Sequence, residues 1–158
     1  MRFDIGDKVI HSIHGLGEIV QIEEKIIHDL PTLCYIFQTG SLTIWIPVDD
    51  PQQHSLRLPA KPDEFVGLSE ILSRPSNTLL EDRVLRKEQL MTLLRDGQLK
   101  SIFQVVRDLT GFKHSKKLND QEKFILERAT NSLLVEWAYA LEITPNQAHQ
   151  AMVTLLVK

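Results

Sequence analysis

The chain has 158 residues, 42% of them hydrophobic and 25% charged, with a formal net charge of −3 and a single cysteine. That length suits one ordinary domain or two small ones, and that composition excludes a disordered tail, a collagen-like repeat and a disulfide-stapled scaffold. Cys34 has no second cysteine to pair with, no apolar run approaches the roughly 18 residues of a membrane span, and the opening MRFDIGDKVI lacks the apolar stretch of a signal peptide. A cytoplasmic protein without a membrane partner is expected.

The charge is unevenly placed. Residues 1–60 carry 4 Lys/Arg against 8 Asp/Glu, a net of −4, whereas residues 74–128 carry 12 against 8, a net of +4. Opposite signs on the two halves permit a different partner for each.

The first half has the grammar of strands. Phe3, Ile5, Val9 and Ile10 flank the turn pair Gly6-Asp7. Gly15 and Gly17 lead into Ile19, Val20 and Ile22. His28, Asp29 and Pro31 mark the tip of a longer hairpin, residues 33–37 are β-branched and aromatic, and 38–41 form a turn before the alternating stretch 42–46. Pro47, with no backbone donor, ends that strand or puts it at an edge. Short strands between Gly-containing turns predict a small antiparallel sheet or barrel over residues 1–60.

From Lys61 the period becomes helical, predicting an all-α domain of about five helices over residues 61–158. Pro62 opens a short helix with Phe65, Leu68, Ile71 and Leu72 on one face. Residues 76–78 are expected to cap a second helix that buries Leu80, Val84, Met91 and Leu94 and ends at Gly97. A third runs over about 99–109, and residues 111–118 read as a basic loop. Asn119 and Glu122 form a capping-box-like start to a long helix carrying Ile125, Leu126, Ala129, Leu133, Val135, Trp137 and Leu141. Thr144-Pro145 starts the last helix, ending near Leu156. The fold class is therefore α+β, in two parts.

No catalytic or metal constellation is visible, so no enzyme and no cofactor are expected. The G-x-G at Gly15 and Gly17 lacks the third glycine and the following helix of a phosphate loop, and reads as a turn. His11 and His14 have a spacing that can suit a metal, but a site needs three or four ligands. Neighbouring acids in strands, Glu23-Glu24 and Asp49-Asp50, face opposite sides and make no dyad. Cys34 packs as a small hydrophobe.

Two interaction surfaces stand out instead. Trp45 lies between Ile44 and Ile46, so its side chain faces away from theirs; either Trp45 or the isoleucines are core, or helices cover both faces, and an exposed Trp45 on a small sheet with a free edge suits a protein partner that adds a strand. Basic residues gather at Arg83, Arg86 and Lys87 on the second helix and at Lys113, Lys116, Lys117 and Lys123 around the loop. They suit phosphate contacts made by charge, without sequence reading.

The motif Phe3-x-Ile5-Gly6-Asp7-x-Val9, then His14-Gly15 and Ile19, resembles the opening of the CarD/CdnL family of bacterial RNA-polymerase-binding regulators, a module shared with transcription-repair coupling factors. Leu42-Thr43, Ile46 and Pro47 resemble a further strand of that module. Residues 96–99, 105–109 and 118–129 resemble the helical C-terminal domain. The ordered set covers nearly the whole chain, and at this length the helicase-bearing coupling-factor version is not expected.

The resemblance implies a Tudor-like or SH3-like β module that binds the polymerase β subunit, here through Lys25, Ile26, Tyr35, Phe37, Trp45 and Pro47. It also implies a helical domain facing promoter DNA at the upstream edge of the bubble, where it modulates open-complex stability. One departure is visible. Family members carry a tryptophan wedge early in the first long helix of the DNA-facing domain, and residues 81–87 here have none, the position falling near Arg83. The alternatives are a polymerase-binding paralogue that lacks the DNA wedge, or a non-enzymatic protein-interaction adaptor.

Overall fold

The structure, a computed structural model, describes residues 3–49 and 56–156. They fall into two units, Met1–Pro59 and Ala60–Lys158. Asp50, weighed above with Asp49, lies outside the described residues.

The first unit is a five-stranded antiparallel sheet of β1 (Lys8–His11), β2 (Gly15–Ile27), β3 (Leu30–Thr39), β4 (Leu42–Pro47) and β5 (Leu56–Arg57). The strand order is β4-β3-β2-β1-β5. This is the expected small antiparallel, Tudor-like module. Its turns are written in the residues that tolerate positive φ. His28 (φ 49°) and Asp29 (φ 64°) are the two-residue loop between β2 and β3, with Ile27 facing Leu30. Positive φ at both positions matches the twist of a hairpin.

A bulge sets the faces of β2. The β2–β3 register shifts between Ile19 and Gln21. Ile19 opposite Phe37 and Ile22 opposite Tyr35 therefore both reach the core, although they are three residues apart. Strict alternation would have turned Ile22 outward. The core is Phe3, Val9, Ile19, Tyr35, Phe37, Ile46 and Leu56. Gly17 is required beside it: a Cβ there would lie 2.5 Å from Cζ of Phe37 and 2.6 Å from the Gln38 carbonyl oxygen.

The second unit holds α1 (Pro62–Ser69), a 3-10 turn (Glu70–Ser73), α2 (Arg83–Arg95), α3 (Leu99–Ser115), α4 (Asp120–Leu141) and α5 (Pro145–Leu156). The expected five helices are present. An aromatic triad centres the core: Phe65 meets Trp137 at 5.2 Å and Phe103 at 5.3 Å, and Phe103 meets Trp137 at 6.0 Å, centroid to centroid. Off-parallel ring pairs at such spacings add to their burial energy.

Three expectations are corrected. The second helix does not start after residues 76–78; Asp82 caps it, its Oδ1 accepting from the N–H groups of Val84 and Leu85 at 2.9 Å each. With the helix starting later, Leu80 and Val84 are exposed rather than core. The third helix continues six residues further, to Ser115, so the basic segment expected as a loop is helical through Lys113. Val135 is half-exposed on α4, opposite the face that buries Leu133 and Trp137. By contrast, the capping box at α4 is complete: Asn119 Oδ1 accepts from the Glu122 N–H, and Glu122 Oε1 accepts from the Asn119 N–H.

Candidate functional site

On the sheet, β4 is an edge strand, paired among the described residues only with β3. Ile44 and Ile46 turn to the core, and Trp45 stands on the other face, 40% exposed. Register places Trp45 opposite Ile36 and Pro47 opposite Cys34. Ile36 and Cys34, although on this outer face, are both buried. The Nζ of Lys25 lies 4.3 Å from the Trp45 ring centroid. An ammonium over an indole face is a cation–π contact. Beneath, burial pushes the Cys34 thiol up from its ordinary range, against a smaller downward pull from Lys25.

The residues singled out for polymerase contact therefore separate. Lys25, Trp45 and Pro47 share the outer face of the sheet. Ile26 is exposed but alternates to the opposite side of the hairpin, with Pro31 and Leu33, which are also exposed. Tyr35 and Phe37 leave the candidate surface. They are 2% and 0% exposed, facing inward as partners of Ile46 and Ile44, and the Tyr35 hydroxyl accepts from the Phe3 N–H at 3.2 Å. Alternation explains the split, because one strand serves two faces.

On the helical unit Arg86 is the second correction to the candidate set. It is 8% exposed. Its Nε donates to Glu122 Oε2, its Nη1 donates to the carbonyl oxygens of Leu80 and Glu81 at 3.1 and 3.0 Å, and its guanidinium lies 4.7 Å from the Phe112 ring centroid. It is a largely buried structural tie and leaves the exposed basic surface. Glu122 thus serves twice, one oxygen on the α4 cap and the other on Arg86.

That tie gathers the remaining cations. It fastens the first turns of α2 to the end of α3 and the start of α4, so exposed Arg83 and Lys87, Lys113 at the end of α3, Lys116 and Lys117 in the connection and Lys123 in α4 share one end of the domain. Lys113, Lys117 and Lys123 line one open cleft of about 470 Å³, with Leu118, Leu126 and Glu127. The sequence alone did not flag Val84 and Leu85 as surface. They are 75% and 57% exposed beside Arg83; the Asp82 cap was the available signal, since it sets which residues begin the helix. Among the described residues no cluster of three or more His, Cys, Asp or Glu side chains is arranged to hold a metal. No helix there is long and apolar enough to cross a membrane.

Family comparison matches both units in order. Residues 3–58 match the CarD-like/TRCF RID domain, and residues 68–153 match the CarD C-terminal domain. The chain belongs to the CarD family of RNA-polymerase-binding transcription regulators. It is also similar to the Bacillus subtilis (strain 168) protein named "Putative transcription factor YdeB", 28% identical over 151 residues, which span 92% of this chain and 96% of the relative. The family's shared RID domain coincides with the sheet that carries Trp45. Its C-terminal domain coincides with the helices that gather the lysines.

Proposed function

We propose that this chain acts in the cytoplasm as a transcription regulator that docks on the RNA polymerase β subunit through the outer face and free edge of its sheet. The helical domain then meets promoter DNA at the upstream edge of the bubble and changes the lifetime of the open complex. The observation that carries this reading is Trp45: a large aromatic held outward on an edge strand, with Lys25 fixed over its ring. Burying such an aromatic against a partner is how interface anchors contribute most of their energy, and an edge strand offers backbone pairing as well. On the helical side, the lysine cleft supplies charge for phosphates, and exposed Val84 and Leu85 offer an apolar contact where the family has tryptophan. The role is one of binding, without a catalytic step.

A second reading keeps the polymerase contact and drops the DNA contact. It is favoured by the loss of Arg86 to the interior and by the acidic pair Glu81 and Asp82 at the start of α2. One experiment separates the two. The full chain is titrated with a purified β-subunit fragment, and open-complex lifetime is measured on a promoter with and without the chain. Binding with a changed lifetime that charge reversal at Lys113, Lys117 and Lys123 abolishes supports the first reading. Binding with an unchanged lifetime supports the second. No binding to the β fragment overturns both.

A further inference from the structure

A second cleft, of about 140 Å³, lies elsewhere on the helical unit, between the segment after the 3-10 turn, the last turns of α3 and the end of α5. Arg74, Ser76, Arg107, Thr110 and His114 supply its polar lining, and Leu72 and Leu156 its apolar wall. None of these residues serves the polymerase or DNA surfaces.

Arg107 decides what the cleft is for. It is 7% exposed. Its Nε donates to Asp108 Oδ1 at 2.9 Å, and the same oxygen accepts from the Asn77 N–H at 2.9 Å. Its carbonyl oxygen accepts from the Ser76 hydroxyl at 3.1 Å. The residue is thus locked from two sides. Its two Nη groups have no protein acceptor among the described residues, and no side-chain nitrogen there is both fully buried and unpaired. They therefore keep contact with solvent, and Arg107 lines this cleft. Water satisfies these donors in the cleft, and an anionic acceptor that replaces it makes stronger, charge-assisted bonds. Arg74, at the rim, likewise has no side-chain partner within the described residues. Gly111 lets α3 approach Ser76 closely, since a Cβ there would collide with the Ser76 side chain.

We infer that this cleft binds a small phosphate group, either inorganic phosphate or the end of a phosphomonoester. Two guanidinium groups offer forked donors of the geometry that phosphate oxygens accept, and Thr110 and His114 add shorter-range donors. The volume is that of about four or five waters at about 30 Å³ each, enough for one tetrahedral oxyanion and too little for a nucleotide. The charge balance agrees. Arg74 and Arg107 set against Asp108 leave one net positive charge, which outweighs the roughly half negative charge at the C-terminal end of α3. An occupant would tie the end of the 3-10 turn, α3 and α5 together, so binding stabilises the helical domain by mass action.

The test is titration of the full chain with sodium phosphate and, separately, glycerol phosphate, at ionic strength matched with chloride, read by calorimetry and by phosphorus NMR. The expected result is saturable one-site binding with Kd of about 1 mM or below, weakened about tenfold or more in Arg74→Gln. Arg74 is exposed, so that variant keeps its melting temperature; Thr110→Val is a second such variant with a smaller loss. Tighter binding of the ester assigns the ligand to a phosphomonoester, and equal binding assigns it to inorganic phosphate. No saturable binding overturns the inference. So does binding that both variants leave unchanged, which would be an adventitious ion only.

Discussion

Lys25 and Trp45 lie on strands that are not neighbours, yet the ammonium of one rests 4.3 Å from the ring centroid of the other. The β2 bulge makes this possible. Before it Ile19 faces the core; after it Gln21, Glu23 and Lys25 face outward with Cys34, Ile36 and Trp45. Without the extra residue Lys25 would share the inward parity of Ile19 and could not cover the indole. The same irregularity keeps Ile22 in the core and sets the composition of the docking face.

Trp45→Ala is expected to weaken binding to the β-subunit fragment at least tenfold, about 1.4 kcal/mol, without lowering the melting temperature. Lys25→Ala should cost less, because an exposed cation–π pair contributes only about 0.5–1 kcal/mol. In the double variant the two losses should fall short of their sum, since the lysine acts partly through the ring. Titration of the four proteins measures this. Full additivity would show that Lys25 and Trp45 act on the partner separately.

Gly17→Ala should destabilise the sheet by about 1–3 kcal/mol, the cost of overpacking a filled interior. The added methyl meets the Phe37 ring and the fixed Gln38 carbonyl. Moving the ring alone does not relieve the second contact. Chemical denaturation followed by NMR signals of the sheet residues should record a lower midpoint, while Gly67→Ala, with open space at its Cβ, should not.

Much of this architecture is legible in the sequence. The switch from period two to period 3.6 near residue 60 marked both parts, and Asn119 with Glu122 announced the start of α4 correctly. Alternation alone set Trp45 opposite its two isoleucine neighbours, but which of those faces is the outer one is decided only by the packing of the sheet. The misreadings share a cause. Tyr35 and Phe37 were placed on the docking strands by the resemblance, and which way they face depends on pairing with β4, which a strand does not state by itself. Arg86 looked like a phosphate ligand because Glu122, its partner, is 36 residues away. Leu80 and Val84 looked buried because the cap was placed at residues 76–78, whereas the Asp82 cap delays the helix start. The cleft around Arg107 was invisible because its lining comes from three separated segments.

Arg86→Ala should cost about 3–5 kcal/mol of stability, because it strands Glu122 as an uncompensated buried carboxylate. It also removes the donors to the Leu80 and Glu81 carbonyls. Arg83→Ala and Lys87→Ala, on exposed neighbours, should change stability by no more than about 0.5 kcal/mol. Thermal unfolding of the three variants separates a structural tie from a surface charge. An Arg86 variant as stable as the other two would contradict the assignment.

Cys34 gives a pH prediction. Burial raises the folded thiol pKa above the ordinary value of 9.0. The folded state then holds its proton to higher pH than the unfolded state. Its contribution to stability is complete below the ordinary thiol pKa and is lost as pH rises through the folded value. At neutral pH the thiolate is scarce and enclosed, so Cys34 should react with a disulfide reagent far more slowly in the native protein than after denaturation. Since it is the sole cysteine, total thiol release reads this one site. A Cys34→Ser variant should remove the alkaline dependence; persistence of the same slope above pH 9 would assign it to another group.

The lysine cleft predicts a salt dependence. Each cation that neutralises one phosphate adds about −0.9 to the slope of log binding constant against log salt on duplex DNA. Lys113, Lys117 and Lys123 share the cleft, whereas Lys100 lies on α3 outside it. Single alanine variants at the first three should each weaken promoter-fragment binding and flatten the slope by up to about one, with little change between sequences, since phosphate contacts carry no base information. Lys100→Ala should do neither. Measuring binding by fluorescence anisotropy at several salt concentrations gives both quantities. If all four variants behave alike, the contribution comes from overall charge and the cleft is not the contact; if the three cleft variants alone lower the slope, the helical domain meets DNA through the end that Arg86 and Glu122 hold together.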